Sequence, residues 1–299
     1  MEASILNKVI MPLCIVLIMY GLGLSLTVAD FKRVWTNPKV ISIGIALQII
    51  GFPVIGFVYG YVLRLDPIMA MSVMLLCACP GGAITNLVSF VSKGDAALSV
   101  SLTAVNSFIT VMTIPIVVTF SLGHFLGAEA AAQVKVWKLS LGILAITIPP
   151  IILGMLTKHK LPEFAKKSEK WVRRGTIAFL ATIATVVSIK ERAMIVEHYD
   201  ELTLLAVCLC LLTASLGAAV AGAVRLSRKH VLTLAIEVGL PNSAMGIVIA
   251  LSFLNMPELS LFSACYLLIE YILAGIMMGI MSSSVGDRIL GIEAPPENL

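Results

Sequence analysis

The stretch Cys79-Pro80-Gly81-Gly82-Ala83-Ile84-Thr85-Asn86 interrupts an apolar run that is otherwise long enough to cross a membrane. A second apolar run is interrupted in the same way by Glu237-Val238-Gly239-Leu240-Pro241-Asn242-Ser243. Each interruption joins helix breakers to a side-chain amide, and the second adds a carboxylate. A helix broken within hydrocarbon leaves N–H and C=O groups without partners, which is tolerated only where they line a cavity or are buried in protein. Two such breaks in corresponding places of two halves predict the binding site of a secondary transporter.

The composition is that of a polytopic membrane protein. Of the 299 residues, 59% are hydrophobic and 13% are charged, and the mean hydropathy is +1.01, whereas a soluble domain carries about 25% charged residues. The six cysteines lie in apolar segments and show no paired spacing with the four histidines, which argues against a zinc site. The basic residues fall in short loops, so we expect the lipid bilayer as the surroundings and no nucleic acid as a partner.

Apolar runs of about 20 residues, the length that a membrane helix needs, occur nine times and predict an all-α fold. They cover about 8–29, 40–62, 67–91, 95–122, 137–157, 175–190, 202–224, 230–254 and 258–283. The segment 158–174 between the fifth and sixth runs is too charged to span and is predicted to lie at the membrane interface.

The placement of Lys and Arg predicts the orientation. With nine spans, fifteen of these residues lie on one side of the membrane and six on the other. Because cytoplasmic loops carry the excess of basic residues, we predict an outer N-terminus and a cytoplasmic C-terminus in the plasma (inner) membrane. Span 3 then runs inward and span 8 outward, so spans 1–4 match spans 6–9 as an inverted repeat, and the two broken helices are expected to cross at the midplane.

Glu237 in the second break has the greatest functional weight. A carboxylate at the bilayer centre costs at least about 2.5 kcal/mol, and no Lys or Arg lies inside a predicted span. A metal cation or a proton is the expected partner, and a neutral glutamic acid bonded between helices is the alternative. Neutral oxygens expected beside it come from Thr85, Asn86, Ser99 and Thr103. One carboxylate among neutral oxygens suits Na⁺ and is short of carboxylates for Ca²⁺ or Mg²⁺.

Two further polar side chains lie near the middle of predicted spans. Gln48 in span 2 is an amide in an apolar run, and hydrogen bonding between helices is the alternative to ligand binding. Glu270 in span 9 is a second acid. It is interpreted as a proton site, as a determinant of substrate polarity or as a protonated packing residue, and these three interpretations stay open.

At these motifs the chain resembles the bile acid:sodium symporter family, nearly end to end. The resemblance rests on residues 21–26 followed by Asp30-Phe31, on 79–86 followed by 94–99, and on 236–243. It implies one membrane transport domain over 1–299, in which a core domain moves against a panel domain with substrate between them. The core would comprise about 40–122 and 202–283, and the panel about 8–29 and 137–190.

The resemblance also implies two sodium sites. The first falls on Glu237 and the four residues already grouped around it, Thr85, Asn86, Ser99 and Thr103. The second falls on Gln48, Glu237 and the backbone carbonyls of Val238 and Leu240. The family has a glutamine directly after the position of Leu240, where this chain has Pro241. One side-chain oxygen of the second site is therefore missing, so one Na⁺ is expected and the second is in question.

The substrate implied by the resemblance is a small organic anion, which half-helix N-termini can meet. The substrate face would comprise Pro80, Gly81, Gly82, Ala83, Asn242, Ser243 and Glu270. Many relatives carry a hydroxyl residue at the position of Ala83 and a neutral polar residue at that of Glu270. We therefore expect the contacts with the substrate to differ from those of such relatives.

The leading prediction is sodium-coupled symport of a bile-acid-like anion or small carboxylate by alternating access. A carrier of the same fold that is coupled to protons, or independent of sodium, is the second hypothesis. A membrane receptor without transport is the third. An enzyme is the least favoured class, because the sequence shows no pairing of nucleophile and base.

Overall fold

The structure, a computed structural model, describes residues 10–82, 84–168, 171, 175 and 192–283. Most of the predicted sixth span, 175–190, and Ala83 of the predicted substrate face lie outside these residues. Within them the chain is helical and contains no strand, which confirms the predicted all-α class. The helices are α1 (Met11–Ser25), α2 (Val28–Thr36), α3 (Pro38–Val62), α4 (Pro67–Cys77), α5 (Ile84–Val91), α6 (Ala96–Phe125), α7 (Ala128–Gln133), α8 (Val136–Lys160), α9 (Arg192–Ala223), α10 (Arg228–Gly239), α11 (Ser243–Leu254) and α12 (Pro257–Met281).

Five helices in the described part of the chain are long and apolar enough to cross a membrane. They are α3, α6, α8, α12 and the segment Asp200–Ala223 of α9. Three more helices, α1, α4 and α11, are apolar but shorter. The chain is therefore a multi-pass membrane protein, while the count of nine spans and the inverted repeat stay predictions.

Polar caps determine where the helices around the two breaks begin. The Asp66 carboxylate accepts from the first turn of α4, and Asp95 Oδ1 accepts from the first turn of α6 at 2.9 Å. Ser227 caps α10, and the Asn242 side chain caps α11 at 3.0 Å. Each cap gives a hydrogen bond to N–H groups that the helix itself leaves unpaired.

The predicted first span, 8–29, ends earlier in the structure, at Ser25. Thr27 and Asp30 form a capping box, in which the Thr27 N–H donates to Asp30 Oδ2 at 2.7 Å and starts the separate helix α2. The Phe31 ring of α2 lies edge-on against Phe108 of α6, with ring centroids 5.7 Å apart. The segment that reads as a loop in the sequence is thus largely a short helix packed on α6.

Two apolar clusters surround the breaks, and α4 and α12 contribute to both. One cluster joins α1, α4, α6, α8, α11 and α12, and the other joins α3, α4, α5, α9, α10 and α12. Helices α1 and α8 approach closely at Gly23 and Gly154, where a Cβ on either glycine would collide with backbone atoms of the other helix. Small residues allow such close packing in membranes.

Candidate ion and substrate site at the paired helix breaks

The two helix breaks meet and pair in antiparallel fashion. The Gly82 N–H donates to the Leu240 carbonyl at 3.0 Å, and the Asn242 N–H donates to the Pro80 carbonyl at 2.7 Å. Each break therefore satisfies backbone groups of the other that no helix can satisfy. The predicted meeting of the two breaks is present in the structure.

Gly81, which lies opposite Pro241 in this pairing, leaves space beside the Glu237 carboxylate. A Cβ on Gly81 would fall 2.6 Å from Glu237 Oε2 and 3.0 Å from Gln48 Nε2. Real Cβ atoms essentially never come within 3.0 Å of another atom. The missing side chain of Gly81 is thus the space that admits the Glu237 carboxylate.

Other helices supply partners for the carbonyls at the end of α10. Gln48 Nε2 in α3 donates to the Glu237 carbonyl at 2.7 Å. The Gly239 carbonyl accepts from the Tyr266 hydroxyl of α12 at 2.9 Å and from the Cys210 thiol of α9 at 3.3 Å. The break is therefore held by polar groups from three neighbouring helices rather than by lipid.

Glu237 is buried, with 1% of its surface exposed, and hydroxyl and amide groups surround its carboxylate. Ser99 Oγ donates to Oε1, and Thr103 Oγ1 lies 3.3 Å from both carboxylate oxygens. Gln48 Nε2 lies 3.2 Å from Oε2. These groups are neutral, and among the described residues none of the ion pairs reaches Glu237. A carboxylate so placed calls for a cation or a proton.

Oxygens from α5 and α6 converge on the Glu237 carboxylate. Asn86 Oδ1 lies 2.9 Å from Ser99 Oγ and 3.5 Å from Thr103 Oγ1, and Thr85 Oγ1 lies 3.5 Å from Thr103 Oγ1. Six oxygens from five residues therefore lie close together: the hydroxyl oxygens of Thr85, Ser99 and Thr103, Asn86 Oδ1 and the two carboxylate oxygens of Glu237. A cation satisfies several acceptors at once, so this oxygen set fits Na⁺. All five residues predicted for the first sodium site lie together.

The residues predicted for the second sodium site form no comparable set of oxygens. Gln48 presents its N–H₂ group, not its oxygen, to Glu237. The Leu240 carbonyl already accepts from a backbone N–H of the first break. Val238 is buried at the end of α10, and Pro241 brings no side-chain oxygen.

Asn106 of α6 is a polar neighbour of this site that sequence reasoning missed. It is 0% exposed, and its Nδ2 donates to Gln48 Oε1. Its own Oδ1 is buried without a hydrogen-bond partner among the described residues. The spacing could have revealed it, because Ser99, Thr103 and Asn106 at i, i+4 and i+7 share one face of a helix.

The residues of the predicted substrate face that the structure describes lie at and beside the paired breaks. Asn242 Oδ1 accepts from the Met245 N–H at 3.0 Å, so this oxygen caps α11. The Ser243 hydroxyl donates to Glu270 Oε2 at 2.6 Å, and both residues are buried. Helices α5 and α11 both begin at the pairing, which brings two half-helix N-termini to one region.

Comparison with known proteins identifies relatives among sodium-dependent transporters. The profile of the Sodium Bile acid symporter family matches residues 12–198, which include the first break and stop before the second. A probable sodium/metabolite cotransporter of Arabidopsis thaliana chloroplasts is 28% identical over 270 residues, covering 86% of this chain and 64% of the relative. The chain thus spans less than two thirds of that relative's length.

Bacterial and animal relatives match as well. An uncharacterized sodium-dependent transporter of Bacillus subtilis is 28% identical over 242 residues, covering 78% of this chain and 71% of the relative. The ileal sodium/bile acid cotransporter of Oryctolagus cuniculus is 24% identical over 281 residues, covering 93% of this chain and 80% of the relative. The names of these relatives all refer to sodium, and they differ in the co-transported compound, which is a metabolite in one name, a bile acid in another and not stated in the third.

Proposed function

The chain belongs to the Sodium Bile acid symporter family, and from that premise we propose that it is a membrane symporter that couples Na⁺ to the uptake of an organic anion. The family is one of transporters, so the proposal contains no enzymatic step. The relatives' names pair sodium with bile acids or with metabolites. A bile-acid-like anion or a small carboxylate is the proposed substrate.

The observation that carries the proposal is the oxygen cluster around Glu237. The residues that would hold Na⁺ are Thr85, Asn86, Ser99, Thr103 and Glu237. A bound Na⁺ would neutralise the buried carboxylate and coordinate the neutral oxygens beside it. Because the carboxylate belongs to α10 and the neutral oxygens to α5 and α6, the ion would hold the two halves of the paired breaks together.

Coupling to an anion follows from the same electrostatics. Without a cation, the Glu237 carboxylate repels an anion at the starts of α5 and α11. Once Na⁺ has neutralised it, the positive ends of these helices favour a carboxylate or sulfate group. Ion and substrate therefore strengthen each other's binding by the same factor. Pro80, Gly81, Gly82, Ala83, Asn242 and Ser243 are the proposed substrate face.

Alternating access is proposed as a movement of the panel against the core. The close packing of α1 on α8 supports treating these two helices as one moving body. The core would comprise about 40–122 and 202–283 and would carry both breaks. The protein would lie in the plasma (inner) membrane with its N-terminus outside.

The test is thermal unfolding of the purified protein in detergent with Na⁺ or with K⁺ at equal ionic strength. We expect Na⁺ to raise the melting temperature, because a ligand of the folded state stabilises it, and K⁺ to have little effect. Glu237→Ala should abolish the Na⁺ effect. Glu129→Ala, which removes an exposed carboxylate on α7, is the matched control and should retain it. Equal stabilisation by both ions would contradict the proposal.

The contact between Ser243 and Glu270 favours proton coupling as the second candidate. Glu270 is a second buried carboxyl group, and its side chain accepts from a residue at the start of α11. A proton on this group would remove a negative charge from the proposed substrate face. The test is uptake into proteoliposomes that is driven by a pH gradient without Na⁺. If such uptake occurs and is lost in Glu270→Gln, the carrier is coupled to protons. Uptake that requires Na⁺ at every pH would decide against it.

A further inference from the structure

The buried amide of Asn106 has a hydrogen-bond partner for its N–H₂ group and none for its oxygen among the described residues. Asn106 lies in the middle of α6 with none of its surface exposed, and Nδ2 donates to Gln48 Oε1. Oδ1 has no hydrogen-bond partner among the described residues. A buried amide oxygen without a partner is unfavourable and rare, so an orphan of this kind calls for a missing partner.

The surroundings of Asn106 indicate a positively charged partner. Asn106 bonds Gln48, and Gln48 in turn bonds both the main-chain carbonyl and the carboxylate of Glu237. Hydrogen bonds thus link the Asn106 amide, through Gln48, to a backbone carbonyl and a carboxylate oxygen of Glu237. Such groups are ligands of hard cations. Gln48 lies in the π-helical turn Leu47–Gly51 of α3, a local irregularity that is frequent at functional sites.

We infer that Asn106 Oδ1 is a ligand of a second Na⁺, in the place of the side-chain oxygen that Pro241 does not supply. The inference rests on the proposed function, since it requires that the protein binds Na⁺ at all. The second ion would lie beside Gln48 and Glu237 and would draw its extra oxygen from α6 instead of the second break. Turning the Asn106 amide about its terminal torsion exchanges Oδ1 for Nδ2 at Gln48, and this requires no change of backbone.

The experiment measures how many ²²Na⁺ ions bind per purified, full-length protein, together with Na⁺-dependent thermal unfolding. We expect about two ions for the unaltered protein and about one for Asn106→Leu, which has similar volume and no oxygen. Loss of a ligand or of a group that orients one typically weakens metal binding by about 10–100-fold. Ser107→Ala is the matched control, because the Ser107 hydroxyl bonds the Thr103 carbonyl within α6, and it should bind two ions.

Asn106→Asp separates a ligand from a residue that merely positions Gln48. Aspartate keeps an oxygen at this position and loses the N–H₂ group that donates to Gln48. If the oxygen is a ligand, the second ion is retained in Asn106→Asp. If the N–H₂ group only positions Gln48, the second ion is lost in this variant as it is in Asn106→Leu, and the inference is wrong.

The failure of the inference is distinguishable from the failure of the proposed function. Binding of a single Na⁺ by the unaltered protein overturns the role of Asn106 and leaves sodium coupling intact. Absence of any Na⁺ binding overturns both. If Asn106→Leu does not fold, the ion count of the unaltered protein and of Asn106→Asp still decides the question.

Discussion

The two helix breaks are alike in backbone and unlike in chemistry. Each ends one helix, runs extended past the other break, and starts a second helix. The first break is followed by the neutral oxygens of Thr85 and Asn86, which lie against Ser99 and Thr103. The second break contributes a single charge, from Glu237. The charge and the oxygens of the proposed Na⁺ site thus come from different halves of the chain, so one bound ion would connect both halves.

The difference also explains why the second break depends on other helices. After its carboxylate it offers Pro241, which has neither a side-chain oxygen nor an N–H. Polar groups from α3 and α6 fill this region instead, through Gln48 and Asn106. Substitutions beside the first break should therefore remove ion ligands. Substitutions at the second break should have smaller effects, because Gln48 and Asn106 already supply polar groups there.

Among Ser99→Ala, Gly81→Ala and Pro241→Gln, the largest effect is expected from Ser99→Ala, on the side of the first break. It removes the hydroxyl that lies between Asn86 Oδ1 and the Glu237 carboxylate. We expect Na⁺ affinity to fall by up to about 100-fold, as measured by ²²Na⁺ binding. Ser101→Ala is the control, because the Ser101 hydroxyl is buried on the same helix and bonds only the Ala97 carbonyl in the described contacts. Equal losses in the two variants would remove Ser99 from the ion site.

A smaller effect is expected from Gly81→Ala, which crowds the point where the breaks meet. The new methyl group would lie 2.6 Å from Glu237 Oε2 and would have to displace the carboxylate. Overpacking of this kind costs about 1–3 kcal/mol, and we expect Na⁺ affinity to fall about tenfold as the oxygens move apart. The measurement is thermal unfolding with and without Na⁺.

Gly275→Ala in α12 is the control for this substitution, because a Cβ at Gly275 meets no other atom within 4 Å. It should leave the response to Na⁺ unchanged and should stabilise the helix by about 0.5–1 kcal/mol. If Gly81→Ala responds to Na⁺ as Gly275→Ala does, the carboxylate does not need the space beside Gly81.

The positions of the breaks and the polar residues that lie beside them could be predicted from the sequence, because helix breakers and a carboxylate stand out in apolar runs. Glu237, Ser99 and Thr103 followed from charge and from helical spacing. Asn106 shares a helix face with Ser99 and Thr103, but the sequence does not show that its partner is Gln48, which is 58 residues away. Only the packing of α3 against α6 brings the two amides together.

The pairing of Ser243 with Glu270 was beyond the sequence for the same reason. Each residue was a candidate for the substrate face, but their contact depends on how α12 packs against the start of α11. The end of the first span was wrong for a local reason that the sequence did carry, namely the Thr27 and Asp30 capping box. Long-range contacts between helices therefore limit such prediction more than local structure does.

The smallest effect is expected from Pro241→Gln, which gives the second break the amide oxygen that it lacks. If Asn106 already supplies that oxygen, the gain is redundant, and Na⁺ affinity should rise only about threefold, within the net worth of one polar contact. In an Asn106→Leu background the same substitution should restore the second ion in ²²Na⁺ binding. Pro257→Gln, the same chemical change at an exposed position at the start of α12, should leave Na⁺ binding unchanged. A second ion that binds only to Pro241→Gln, and not to the unaltered protein, would mean that the second break lacks a needed oxygen and that Asn106 does not supply it.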